Sequence, residues 1–91
     1  MGNLMRTIKE IDDKIADLRL MYKTNLNLRS AIEIQLNELL WLENYGFAPH
    51  TIKEINDRIA KLRKERGNAP DFKTTLKIQN RIAILNWAIE K

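Results

Sequence analysis

The sequence contains two nearly identical stretches, TIKEIDDKIADLR at residues 7–19 and TIKEINDRIAKLR at residues 51–63. They begin 44 residues apart and differ only at three polar positions. Both keep isoleucine, alanine and leucine at the same places, with the larger apolar residues spaced by three and four. This spacing puts the apolar side chains on one face of an α-helix. The repeat therefore predicts two related amphipathic helices, each the first element of a unit that is used twice.

A more apolar segment follows each copy and carries one tryptophan. These segments align after a slip of two residues, which matches Leu36, Leu39 and Trp41 with Ile82, Leu85 and Trp87. We predict an all-α fold of four helices, arranged as two tandem related antiparallel αα-hairpins in a bundle-like single domain over residues 1–91. The predicted helices span about residues 4–23, 27–45, 51–66 and 70–90, so hairpin 1 covers 4–45 and hairpin 2 covers 51–90.

Local signals mark the ends of these helices. Thr7 with Glu10, and Thr51 with Glu54, have the spacing of a capping box, in which each side chain satisfies a free backbone N–H. Ser30 with Glu33 is a third candidate of the same kind, and the alternative is that Asn25 or Asn27 starts that helix earlier. Gly46 and Gly67 follow predicted helices and are typical of helix C-termini.

The predicted second helix has an unusually wide apolar face. A helix that is apolar on more than one side must be buried on more than one side. Three partner helices of this size can cover one broad apolar stripe but not two, so we expect a homodimer or a higher homo-oligomer. The interface candidates are Ile34, Trp41, Leu42 and Trp87.

The composition limits the chemistry. The chain has no cysteine and one histidine, His50, so no thiol chemistry exists and a metal site would need carboxylates alone beside that histidine. An exposed loop position is the simpler interpretation of His50, and a solvated face is the simpler interpretation of Asp12, Asp13 and Asp17. No nucleophile–base pair, glycine-rich phosphate loop or metal set can be assembled. We therefore expect no enzyme, no metal and no cofactor.

Sixteen basic and twelve acidic residues give a net charge of +4, which permits an anionic partner. Basic residues crowd the end of the predicted third helix, and the anion-binding candidates are Lys53, Arg58, Lys61, Lys64 and Arg66. The alternative is that these cations complement the helix dipole and pair with Glu54, Asp57 and Glu65 at i, i+4 spacing. No run of about 18 apolar residues is present. We expect a cytoplasmic protein without a membrane partner.

The last helix, with Thr75-Leu76 followed by Leu85-Asn86-Trp87-Ala88-Ile89, resembles the terminal helix of small helical-hairpin proteins encoded by bacteriophages. Among these it is similar to the anti-CBASS cyclic-nucleotide sponges, whose hairpin also has a small hydroxyl residue, Leu, and then Trp-Ala one helical stretch later. The resemblance implies a counter-defence protein that binds a signalling nucleotide between the subunits of an oligomer.

Three functions remain open from the sequence. The first is a non-enzymatic binding protein that sequesters or blocks a protein partner, for example a phage counter-defence protein. The second is an oligomeric sponge for a small anionic nucleotide. The third is an accessory nucleic-acid-binding protein, whose binding would weaken in salt.

Overall fold

The computed structural model describes residues 5–44 and 49–90, and within them the chain folds into four α-helices without strands. Helix α1 spans Ile8–Thr24, α2 spans Arg29–Leu42, α3 spans Ile52–Gly67 and α4 spans Phe72–Ile89. A short 3₁₀ turn over Leu26–Leu28 connects α1 to α2. The predicted all-α fold with four helices is confirmed.

Two of the three predicted capping boxes form. The hydroxyl oxygens of Thr7 and Thr51 accept from the backbone N–H groups of Glu10 and Glu54, and each glutamate reaches back to the threonine N–H. The Ser30 box is wrong, because α2 already begins at Arg29 and no side chain caps it. Since capping fixes where a helix begins, α1 starts at Ile8 rather than near residue 4.

The connection between α3 and α4 also differs from its prediction. Gly67 is the last residue of α3, and Asn68 follows it with a φ of −108°, so no left-handed glycine closes this helix. Helix α4 starts at Phe72, because the carboxylate of Asp71 accepts from the backbone N–H of Thr74. The predicted role of Gly46 falls outside the described residues.

The helices pack in the order α1, α2, α4, α3, so that α2 and α4 lie in the middle. Helix α2 contacts α1 on one side and α4 on the other. Its apolar residues Ile32, Leu39 and Leu42 are buried within the single chain. Helices α1 and α4 thus cover part of the wide apolar face of α2, whereas Ile34 and Trp41 are half-buried and Leu28 is exposed. The homo-oligomer itself stays a prediction.

The two copies of the repeat bury the same positions. Ile11, Ile15 and Leu18 in α1 are buried, and so are their counterparts 44 residues later. The counterparts are Ile55, Ile59 and Leu62. That the two hairpins superpose over their whole length stays a prediction.

The two ends of the molecule are built differently. At one end the chain enters α1 beside the end of α4, where the backbone N–H of Arg6 donates to Ala88 O at 2.8 Å. It enters α3 beside the end of α2, where the backbone N–H of His50 donates to Leu42 O at 2.9 Å. The other end carries both hairpin connections, between α1 and α2 and between α3 and α4. We call this second end, with residues 19–29 and 61–77, the tip end.

Candidate functional site

Exposed apolar side chains concentrate at the tip end. Among the described residues seven large hydrophobic side chains are exposed, and only Ile8 lies elsewhere. The six at the tip end are Leu20, Met21, Leu26, Leu28, Phe72 and Leu76. The most exposed are Leu26, at 70%, and Phe72, at 75%, one at each hairpin connection. Scattered single apolar residues need no explanation, but a concentration at one end is typical of a contact surface.

Positive charge concentrates at the same end. Residues 19–29 and 61–77 contain nine Lys or Arg and two Asp or Glu, whereas the remainder contains seven Lys or Arg and ten Asp or Glu. The tip end thus has a formal charge of +7 and the remainder −3, although the whole chain has only +4. Such a separation creates a field that attracts anions to one end and orients their approach.

A groove of about 210 Å³ separates the two hairpins at the tip end. Its walls come from the 3₁₀ turn, with Asn27, from the first half of α2, with Ile34, and from the first half of α4, with Lys73 and Leu76. The side chains of Gln35 and Asn80 join the two helices by a 3.3 Å hydrogen bond. The groove therefore shows that the exposed residues of both hairpin connections belong to one end of the molecule.

A larger open cavity of about 640 Å³ lies between the end of α3 and the start of α4. Lys61 and Lys64 line it together with Glu65, and its remaining walls are mixed polar and apolar. These walls are Asn68, Ala69, Pro70, Thr74 and Ile78. The predicted i, i+4 pairs of Lys61 with Asp57 and Glu65 do not form, and neither lysine has an ion pair within the described residues. Both ammonium groups are therefore available to a ligand.

Arg58 is not part of this basic surface. Its guanidinium makes two hydrogen bonds to the buried carboxylate of Glu38, at 2.8 and 3.1 Å, and Arg81 donates to the same carboxylate. The predicted pairing of Arg58 with Glu54 is wrong, because Glu54 is bonded to His50 instead. The Glu38 side chain is only 5% exposed, so the two arginines supply the partners that a buried charge requires. The cluster joins α2, α3 and α4.

Both tryptophans lie beneath cations at the end opposite the tips. The Arg58 guanidinium sits 4.0 Å from the Trp41 ring centre, and the His50 ring stacks on Trp41 at 4.0 Å with an interplanar angle of 13°. The Trp87 ring lies under Arg6, at 4.4 Å, and near Lys14, at 5.4 Å. Cations over an indole face stabilise a packed arrangement. These contacts make the tryptophans structural anchors between helices.

His50 differs from its sequence-based interpretation as an exposed loop residue. Its side chain is only 20% exposed, and Nδ1 lies 2.9 Å from an oxygen of Glu54. The Thr51 N–H and hydroxyl and this imidazole hold the pKa of Glu54 down to about 2, with the backbone hydrogen bond as the largest cause. The histidine is therefore occupied by neighbours in the same helix cap.

One pair of carboxyl groups has an unusual environment. Burial, followed by the hydrogen bond and the charge of Asp12, raises the pKa of Glu43 to about 7, while the charge of Arg19 acts in the opposite direction. Two carboxylates can share a hydrogen bond only when one of them carries a proton. Asp13 and Asp17 are exposed on α1, as predicted from a solvated face.

The structure separates the other predicted site residues. Lys53 is exposed near the start of α3, about 12 Å along the helix from Lys61 at 1.5 Å per residue. Arg66 is half-buried in the last turn of α3. Of the interface candidates, Ile34 is half-buried and lines the groove. Leu42 is 0% exposed, so it offers no surface to a partner, and its assignment to an interface is wrong.

Sequence reasoning missed the exposed residues Leu26 and Phe72 and the buried Glu38. An aromatic residue next to a turn usually fills the end of a helical bundle, but the Phe72 side chain is 75% exposed. A count of charges by segment, rather than over the whole chain, would have revealed the excess of Lys and Arg around the two hairpin connections. A lone glutamate in the widest apolar face of the chain was the available signal for Glu38.

No helix within the described ranges is long and apolar enough to cross a bilayer. Nor do three His, Asp or Glu side chains come together there as a set of metal ligands. No family model, curated protein or solved structure matches this chain.

Proposed function

We propose that this chain is a non-enzymatic binding protein that holds a negatively charged partner against its tip end and thereby sequesters or blocks it. One observation carries the proposal: the exposed apolar side chains and the excess positive charge occur at the same end. Contact surfaces combine an apolar centre, which supplies free energy, with polar groups around it, which orient the partner.

The chemistry of the remaining surface supports a binding role over a reaction. The one histidine is stacked on Trp41 and hydrogen-bonded to Glu54, and the arginine cluster is satisfied by Glu38. By contrast, Lys61 and Lys64 have no internal partner within the described ranges. These two cations and the exposed apolar side chains of the tip end are groups that bind a partner by charge and apolar contact.

A comparison of matched charge reversals tests this proposal. The tip variant is Lys64→Glu with Lys73→Glu, and the control variant is Lys9→Glu with Lys53→Glu, which makes the same charge change at exposed positions distant from the tips. Tagged proteins are cross-linked in a cell extract, and the bound molecules are quantified. We expect the control to retain the partner and the tip variant to retain at most about a tenth, because both attraction and orientation are lost. Equal recovery by the tip variant would sink the proposal.

The cavity between α3 and α4 favours a second candidate, a small organic anion such as a nucleotide. Its volume of about 640 Å³ lies within the range of small-molecule sites. Two unpaired ammonium groups face the same cavity as the side chains of Ala69, Pro70 and Ile78. Native mass spectrometry of the gently purified protein would detect such a ligand, and Lys61→Glu with Lys64→Glu should remove it. A bound ligand that survives this variant would exclude the cavity as its site.

A further inference from the structure

We propose that the tip end docks on the surface of a lipid bilayer that contains anionic lipids. This inference rests on the proposed function, because it identifies the negatively charged partner as lipid headgroups. It requires no spanning helix, since a protein can bind a membrane by placing a few apolar side chains at the level of the headgroups.

The apolar side chains have the right placement for shallow insertion. Leu26 lies in the 3₁₀ turn that joins α1 to α2, and Phe72 is the first residue of α4, so each projects from a hairpin connection. They are 70% and 75% exposed, and Leu28 and Leu76 add exposed apolar surface near them. Protruding side chains of this kind enter a flat, soft interface more readily than they fill a concave site.

The cations surround these apolar groups. Lys23 and Arg29 flank the first connection, where no acidic residue occurs between residues 19 and 29, and the Tyr22 carbonyl accepts from the Arg29 guanidinium at 2.9 Å. Lys73 and Lys77 lie beside Phe72 and Leu76 in the first turns of α4, and Asp71 in this region is occupied as a helix cap. Lysine and arginine near an anionic bilayer gain free energy from its negative surface potential, and the gain falls off within a Debye length.

A bilayer fits this surface better than nucleic acid does. Bases are bound by stacking on aromatic faces. The aromatic residues at the tip end are Phe72 and Tyr22, and Tyr22 is half-buried with the Arg29 guanidinium 4.9 Å from its ring centre. The other exposed apolar side chains are leucine and methionine, which offer no stacking surface but enter the acyl boundary readily. The proposal departs from the sequence-based expectation of no membrane partner, which rested on the absence of a long apolar run; surface binding needs no such run.

Co-sedimentation with vesicles tests the proposal on the intact chain. We expect binding to vesicles of phosphatidylcholine mixed with phosphatidylserine, little binding to phosphatidylcholine alone, and loss of binding as salt is added. Reversal of two tip cations, Lys73→Glu with Lys77→Glu, should lower the partition coefficient by about tenfold. Removal of the apolar tips, Leu26→Asn with Phe72→Ser, should lower it by about as much.

Matched variants control for charge and for exposed apolar area. Lys9→Glu with Lys53→Glu changes the charge equally away from the tips, and Ile8→Asn removes the one exposed large apolar side chain found elsewhere in the described residues. Both should bind vesicles as the original chain does. Far-ultraviolet circular dichroism establishes that every variant is folded, and only folded variants enter the comparison.

The orientation has its own measurement. Trp41 and Trp87 lie near the ends of α2 and α4, about 22 Å along the helices from Leu26 and Phe72 at 1.5 Å per residue. Brominated lipids should therefore leave the emission of the original protein unquenched in the bound state. The variant Phe72→Trp should acquire a new emission component that these lipids quench. Quenching of Trp41 and Trp87 together with an unquenched tryptophan at position 72 would overturn the proposed orientation.

Three further outcomes would overturn the inference. The first is absence of binding to the anionic vesicles, and the second is equal binding by the tip variants and the original chain. The third is release of the protein from vesicles by inorganic phosphate or soluble phosphoserine, but not by sodium chloride at the same ionic strength. That result would indicate an anion site rather than a bilayer surface. If vesicles fail but the extract experiment still recovers a protein or nucleic acid through the tip cations, the proposed function stands and the membrane inference falls.

Discussion

Lys14 and Arg58 stand 44 residues apart at matching positions of the repeat, and each directs its cation toward the ring of a tryptophan. The Lys14 ammonium lies 5.4 Å from the centre of Trp87, and the Arg58 guanidinium lies 4.0 Å from the centre of Trp41. In both cases the tryptophan belongs to a helix of the other hairpin. These contacts connect the first helix of each hairpin to the second helix of the other.

The first prediction concerns these two anchors. Trp41→Leu and Trp87→Leu should each lower the free energy of unfolding by about 1–3 kcal/mol, because each variant loses buried ring area and a cation–ring contact. Urea denaturation measures the change. An unchanged midpoint for either variant would show that its ring contributes no stability.

The second prediction concerns the Glu38 cluster. Glu38→Leu leaves Arg58 and Arg81 without their carboxylate and should lower the free energy of unfolding by about 2–4 kcal/mol. Adding Arg58→Met and Arg81→Met should recover most of this loss, because an apolar replacement of a whole buried ion cluster is often neutral. Urea denaturation of the single and triple variants gives the coupling. A triple variant that is less stable than Glu38→Leu would contradict this account.

The third prediction uses the raised pKa of Glu43. Its value is about 7 in the folded chain against 4.5 for an ordinary glutamate, so the folded state binds the proton more tightly than the unfolded state. The contribution to stability is complete below pH 4.5 and is lost as the pH rises through about 7. Glu43→Gln should remove this dependence and stabilise the protein above neutral pH by about 1–3 kcal/mol.

Thermal unfolding across this pH range provides the measurement for Glu43. The control is Glu33→Gln, which changes an exposed carboxylate on α2, the helix that Glu43 follows. In the original chain the Glu43 contribution should grow on acidification from pH 7 to 4.5, and the same pH dependence in Glu43→Gln would refute the assignment.

The fourth prediction concerns the helix caps. Thr7→Ala and Thr51→Ala each remove a hydroxyl that accepts a backbone N–H, and each should lower the free energy of unfolding by about 1 kcal/mol. Ser30→Ala is the matched control, since α2 has no side-chain cap and Ser30 already lies within the helix. Its effect should stay within about 0.5 kcal/mol. A loss at Ser30 as large as that at Thr7 would mean that the caps are not the cause.

The sequence predicted the helices well where neighbouring residues decide the outcome. The Thr7 and Thr51 caps and the buried positions Ile11 and Ile55 follow from interactions three or four residues apart. The Ser30 box failed because a 3₁₀ turn precedes Arg29, so that Ser30 already lies inside α2. The basic cluster was predicted as one group, but Arg58 faces Glu38 while Lys61 and Lys64 line an open cavity.

By itself the sequence determined the helical class, the repeated first helices and their caps, because these depend on the 3.6-residue period and on contacts within one turn. Only the tertiary structure decided that α1 and α4 both cover α2, that Glu38 meets arginines 20 and 43 residues away, and that the two hairpin connections share one end. These relationships depend on how separate helices pack and in which register. That choice is made by the fit of side chains across their interfaces, which no local pattern encodes.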